Sequence, residues 1–82
     1  MNGVITQLNA RRGLFIVQIE GGDCAVFELL DSLEVSVGDR VSGNLHALGS
    51  EKLLHLRKGQ VFHVHGQNGP GSLKACQRLL AT

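Results

Sequence analysis

Apolar residues recur at every second position through much of the chain, in short runs separated by glycine-rich or polar breaks. That period belongs to strands with one face in a core. Gly3 to Leu8 forms the first run and Asn9-Ala10-Arg11-Arg12 a basic first loop. Phe15, Val17 and Ile19 alternate with Leu14, Ile16, Gln18 and Glu20 in the second, and Ala25, Phe27 and Leu29 with Cys24, Val26 and Glu28 in the third. A Gly-Gly-Asp turn joins these two as a hairpin. The fourth run starts on the Gly38-Asp39 corner, with Val41, Gly43, Leu45 and Ala47 facing the core. Gly49-Ser50-Glu51 is read as a turn. Beyond it the apolar parity is even, through Leu54, Leu56, Phe62 and Val64, in a strand that bends or breaks at Gly59.

Gln67-Asn68-Gly69-Pro70-Gly71 is the strongest breaker in the chain. Ser72 then stands as an N-cap before Leu73, Cys76, Leu79 and Leu80, which recur at helical spacing. A short C-terminal helix is expected, with a final strand as the alternative. The prediction is a mainly β, five-stranded OB-like barrel forming a single domain over residues 1–82, with the barrel at about 3–66 and the helix at about 72–81. Both the helical stripe and the outward Leu14, Ile16 and Val26 need cover, so the helix is expected to dock on that part of the barrel. Docking there would move the contact surface toward the later strands, where His55, Arg57, His63 and His65 lie.

At 8.8 kDa the chain buries only a thin core, and with 4% aromatic residues that core rests on Val, Ile, Leu and three phenylalanines. No apolar run reaches the length of a membrane span, and Met-Asn-Gly-Val-Ile-Thr lacks the features of a signal peptide. A cytoplasmic protein with no membrane partner is expected. Cys24 and Cys76 belong to no ligand pair, which makes them buried or half-buried thiols, with a disulfide between them as the lesser alternative.

Net charge is only +1, but it is unevenly distributed. Residues 20–39 hold six acids and no base; the eight bases lie outside, with Glu51 as the only other acid. Either the signs mix once the barrel closes, or the molecule presents a basic face to phosphates or a dipolar face to a protein.

Four stretches carry a family resemblance: Gly3-Val4-Ile5-Thr6, Arg12-Gly13-Leu14-Phe15-Ile16, Ala25-Val26-Phe27-Glu28-Leu29 and Val37-Gly38-Asp39-Arg40-Val41. Together they resemble the OB-folds of the cold-shock and ribosomal-protein RNA-binding-repeat group over roughly the first 45 residues. The resemblance implies a barrel whose second and third strands stack single-stranded bases on aromatic side chains. This chain departs from that pattern, with Leu14 and Ile16 in the aromatic positions and Glu28 where a charge would repel phosphate.

His63 and His65 share a strand face about 6.5–7 Å apart, and a metal would need His55 or His46 to converge with them. No metal site and no cofactor are expected. No nucleophile elbow, phosphate loop or protected acid pair is present, so the chain reads as a non-enzyme. The expected function is weak, electrostatic binding of single-stranded RNA or DNA through Arg11, Arg12, Lys52, Arg57 and Lys58. The alternative is a protein-interaction or assembly module, through a protein partner or self-association, favoured by the outward apolar residues.

Overall fold

A computed structural model describes residues 1–81. It contains six antiparallel strands and one helix: β1 (Asn2–Asn9), β2 (Leu14–Ile19), β3 (Cys24–Leu29), β4 (Arg40–Gly43), β5 (Gly49–His55), β6 (Gln60–Gly66) and α1 (Leu73–Ala81). The strands form two three-stranded meanders, β1-β2-β3 and β4-β5-β6. They are joined along β3–β6 and again along β1–β4, so the sheet closes into a barrel in the order β1-β2-β3-β6-β5-β4.

Six strands replace the expected five because the chain turns back fully at Gly59. Gly59 has φ +63°, a left-handed conformation that glycine adopts without steric cost, and its N–H donates to the His55 carbonyl at 2.8 Å. Seven cross-strand pairs from Gly49↔Gly66 to His55↔Gln60 then zip β5 to β6. Gly49-Ser50-Glu51, expected as a turn, opens β5 instead. The chain reverses earlier, at residues 44–48, because the close pairing of Gly49 with Gly66 draws this segment into the sheet.

Inside the barrel sit Ile5, Phe15, Val17, Ala25, Phe27, Val41, Leu45, Leu53, Phe62 and Val64. Phe15 is the hub, with ring centroids 5.9 Å from Phe27 and 6.4 Å from Phe62. Of the expected inward sets of β2, β3 and β4, Phe15, Val17, Ile19, Ala25, Phe27, Val41 and Leu45 are buried, Leu29 is half-buried against the same cluster, and β4 ends at Gly43, short of Ala47. The β5 parity is reversed relative to expectation: Leu53 and His55 face the core, whereas Leu54 is half-buried and Leu56 exposed. Pairing fixes this register, since Leu53 sits opposite the inward Phe62. The β3–β4 connection also contributes, with Val35 buried and Leu33 packed against the same cluster.

A second apolar layer lies outside β2 and β3. Leu14, Ile16, Cys24 and Val26 are buried against Cys76 and Leu80, with Leu79 packed alongside. Ser72 caps the helix by accepting the Ala75 N–H at 3.2 Å, and Asn9 Nδ2 donates to the Leu80 carbonyl at 2.8 Å near its other end. Leu73 is the exception on the expected stripe, remaining 45% exposed at the first helical position. A nine-residue helix is too short to persist alone, so the apolar seat on β2 and β3 holds it. No helix among the described residues is long and apolar enough to cross a membrane.

Candidate nucleic-acid interface

The five predicted basic residues occupy three separate places. Arg57 and Lys58 form the β5–β6 turn, where the acidic segment folds back onto them. Arg57 lies 3.7 Å from Asp39, and Lys58 Nζ donates to the Glu34 carbonyl at 2.7 Å. Lys52 stands on the outer face of β5 opposite His63. His63 in turn is tied to Asp31, which accepts its backbone N–H at 2.6 Å and lies 3.0 Å from its ring Nδ1. Signs that are sorted along the sequence are therefore mixed in this part of the barrel.

Arg11 and Arg12 lie elsewhere, just beyond the end of β1. They sit exposed in the β1–β2 turn, whose shape is held by Arg12 N–H to the Asn9 carbonyl at 3.2 Å and Gly13 N–H to the Ala10 carbonyl at 3.4 Å. The Asn9–Leu80 hydrogen bond brings the end of α1 to this turn. Lys74 and Arg78, exposed and four residues apart, occupy one face of that helix. No acid occurs in residues 1–19 or 52–82. Four of the eight bases, Arg11, Arg12, Lys74 and Arg78, thus lie on the β1–β2 turn and the docked helix, neither of which contains an acid. Sequence reasoning missed Lys74 and Arg78, whose i, i+4 spacing in an acid-free stretch was the available signal; Arg78 also lies in the last helical turn, where a cation complements the helix dipole.

The outer face of β2 and β3, where the family resemblance places base stacking, is covered by α1. All three phenylalanines have 0% exposure, so no aromatic ring of Phe, Tyr or Trp is offered to a base.

The histidines do not converge. His55 points into the barrel at 0% exposure, whereas His63 and His65 face outward on β6. His65 Nδ1 is 3.2 Å from Gln67 Nε2. Among the described residues no three His, Cys, Asp or Glu side chains are grouped to hold a metal. His55 is instead fully paired: its Nδ1 accepts the Lys58 N–H at 3.2 Å, which leaves Nε2–H to donate to Asp39 Oδ2 at 2.8 Å. Burial raises the Asp39 pKa. Hydrogen bonds from His55 and the Ser36 amide, with the charge of Arg57, outweigh that effect and hold the carboxyl below its ordinary range. At Asp31 the backbone N–H of His63, then its side chain, likewise lower the pKa.

No family model matches this chain, and neither the curated proteins nor the solved structures contain a significant match.

Proposed function

We propose that the chain is a non-enzymatic, OB-like barrel domain that binds single-stranded nucleic acid weakly through its phosphates. The contact surface is Arg11 and Arg12 together with Lys74 and Arg78. The observation that carries this reading is the hydrogen bond from Asn9 to the Leu80 carbonyl, which docks two acid-free basic segments side by side. Phosphate contacts of this kind supply affinity without base selectivity. The absence of an exposed aromatic platform removes the roughly 1–3 kcal/mol per base that stacking adds, in keeping with weak binding.

Fluorescent oligo-dT and oligo-U titrated across a salt series test this. Each single-strand phosphate contact contributes about 0.7 to the log–log slope. The Arg11→Ala/Arg12→Ala and Lys74→Ala/Arg78→Ala pairs should each flatten it by about 1.4, and Arg57→Ala/Lys58→Ala by less. Equal effects at all three places, or tight base-selective binding at high salt, would reject the assignment. Leu48 at 68% and Val61 at 57% exposure favour a second reading as a protein-interaction module. Gel filtration with light scattering would reveal the self-association that reading allows.

A further inference from the structure

The only two cysteines of the chain, 52 positions apart in sequence, meet in one apolar cluster between the barrel and α1. Both are free thiols, at 1% exposure for Cys24 and 0% for Cys76. The backbone brings them there. Cys24 exchanges two hydrogen bonds with Gly71, N–H to carbonyl at 3.0 Å and the return bond at 2.9 Å. Such a pair sets the two Cα atoms about 5.5 Å apart. Five residues later, in the first turn of α1, Cys76 returns to the same cluster. Asn68 braces the corner by accepting the Val26 N–H at 3.0 Å and placing its Nδ2 3.6 Å from Cys76 Sγ.

We propose that Cys24 and Cys76 form a reversible disulfide that locks α1 onto the outer face of β2 and β3. In the step itself, the thiolate of one cysteine attacks a low-molecular-weight disulfide and releases one small thiol. The second cysteine then attacks the mixed disulfide and releases the other. Two protein thiols are oxidised, one small disulfide is reduced to two thiols, and the two cysteine protons pass to the departing thiolates.

Packing makes the reaction conditional. Burial, then the neighbouring Cys76 and Asp23, push the Cys24 thiol above its ordinary pKa, so Cys24 is a poor nucleophile while the helix is docked. Exchange proceeds when α1, a short helix held by one apolar stripe, opens locally. Re-docking then returns the mixed disulfide to the other sulfur, and closure traps the helix.

The full-length chain incubated with excess oxidised glutathione tests this by intact mass, free-thiol count after denaturation, and thermal melting. The expected product is a monomer about 2 Da lighter with no free thiol. Because the bridge closes a loop of about 50 residues, its melting temperature should rise on the order of 10 °C and return on reduction. Cys24→Ser and Cys76→Ser should each carry a glutathione adduct instead. A wild-type chain that keeps both thiols, accumulates adducts or links between molecules would overturn the proposal. A disulfide formed without any rise in melting temperature would overturn the locking of the helix.

Discussion

His55 and Asp39 form a hydrogen bond of 2.8 Å at the barrel wall, where His55 has no exposed surface and Asp39 only 9%. The bond ties the last residue of the Gly38-Asp39 corner, just before β4, to the last residue of β5. Asp39 Oδ2 also accepts the Ser36 N–H at 2.8 Å, and the Asp39 carbonyl accepts the Ile5 N–H at 2.9 Å. One acid therefore fastens β1, β5 and the β3–β4 connection.

Asp39→Ala should cost about 3 kcal/mol, since it strands the His55 and Ser36 donors with only partial access to water. Chemical denaturation at pH 7 measures this directly, and a loss under about 0.5 kcal/mol, the scale of an ordinary surface change, would deny the pair its fastening role.

Acid should weaken the same connection. A carboxyl whose folded-state pKa lies below its unfolded value of about 3.9 stabilises fully above that value and loses its contribution as pH falls through the folded pKa. Asp39 and Asp31 both carry this sign. Stability should therefore hold from pH 7 to about 5 and decline below about 4. Asp39→Asn keeps a carbonyl acceptor but cannot titrate, so its decline between about pH 4 and 2 should be shallower than that of wild type. Parallel curves for the two proteins would assign the acid sensitivity elsewhere.

Phe27→Ala should cost about 3–5 kcal/mol, by removing a fully buried ring stacked on Phe15. In a barrel this small that is most of the total stability. A melting temperature within a few degrees of wild type would be incompatible with this core.

Strand facing was legible where a run had a clean two-residue period, as at Phe15, Val17 and Ile19 or Ala25 and Phe27. It failed in β5 because the inward position is His55, while Leu54 and Leu56 supply the apolar signal on the other parity. Hydropathy alone cannot reveal a histidine buried by a carboxylate 16 residues away. The apolar residues on the outward parity of β2 and β3 did call for a cover, and Leu14, Ile16 and Val26 are covered by α1. The candidate site was only half legible. Arg11 and Arg12 stand out in sequence, but their neighbours Lys74 and Arg78 arrive through the Asn9–Leu80 bond, whose partners are 71 residues apart.

Gly66 marks a place where the backbone has no spare room. A Cβ there would overlap the Ala47 carbonyl, a backbone atom that cannot swing aside. Gly66→Ala should therefore shift the 44–48 turn away from β6 and cost about 1–3 kcal/mol. Gly69, with nothing within 4 Å of its Cβ position and no positive φ, is the control, and Gly69→Ala should be close to neutral. Equal melts for the two variants would mean that the turn is not seated on Gly66.

Removal of α1 offers the most direct test of how the two apolar layers depend on each other. Deleting residues 72–82 leaves Leu14, Ile16, Cys24 and Val26 bare on adjacent strands, a contiguous apolar patch of the kind that drives association. The truncated chain should melt at lower temperature and self-associate, and its Cys24 should react with a thiol reagent much faster than in the full chain, where reaction waits on local opening of the helix. Ile16→Glu in the full-length chain places a charge beneath the helix, where no partner awaits it. It should bare Cys76 as well as Cys24 while the inner cluster around Phe15 stays packed. A truncated chain that remains monomeric, with an unchanged melt and an unreactive Cys24, would show that β2 and β3 do not need the helix as their cover.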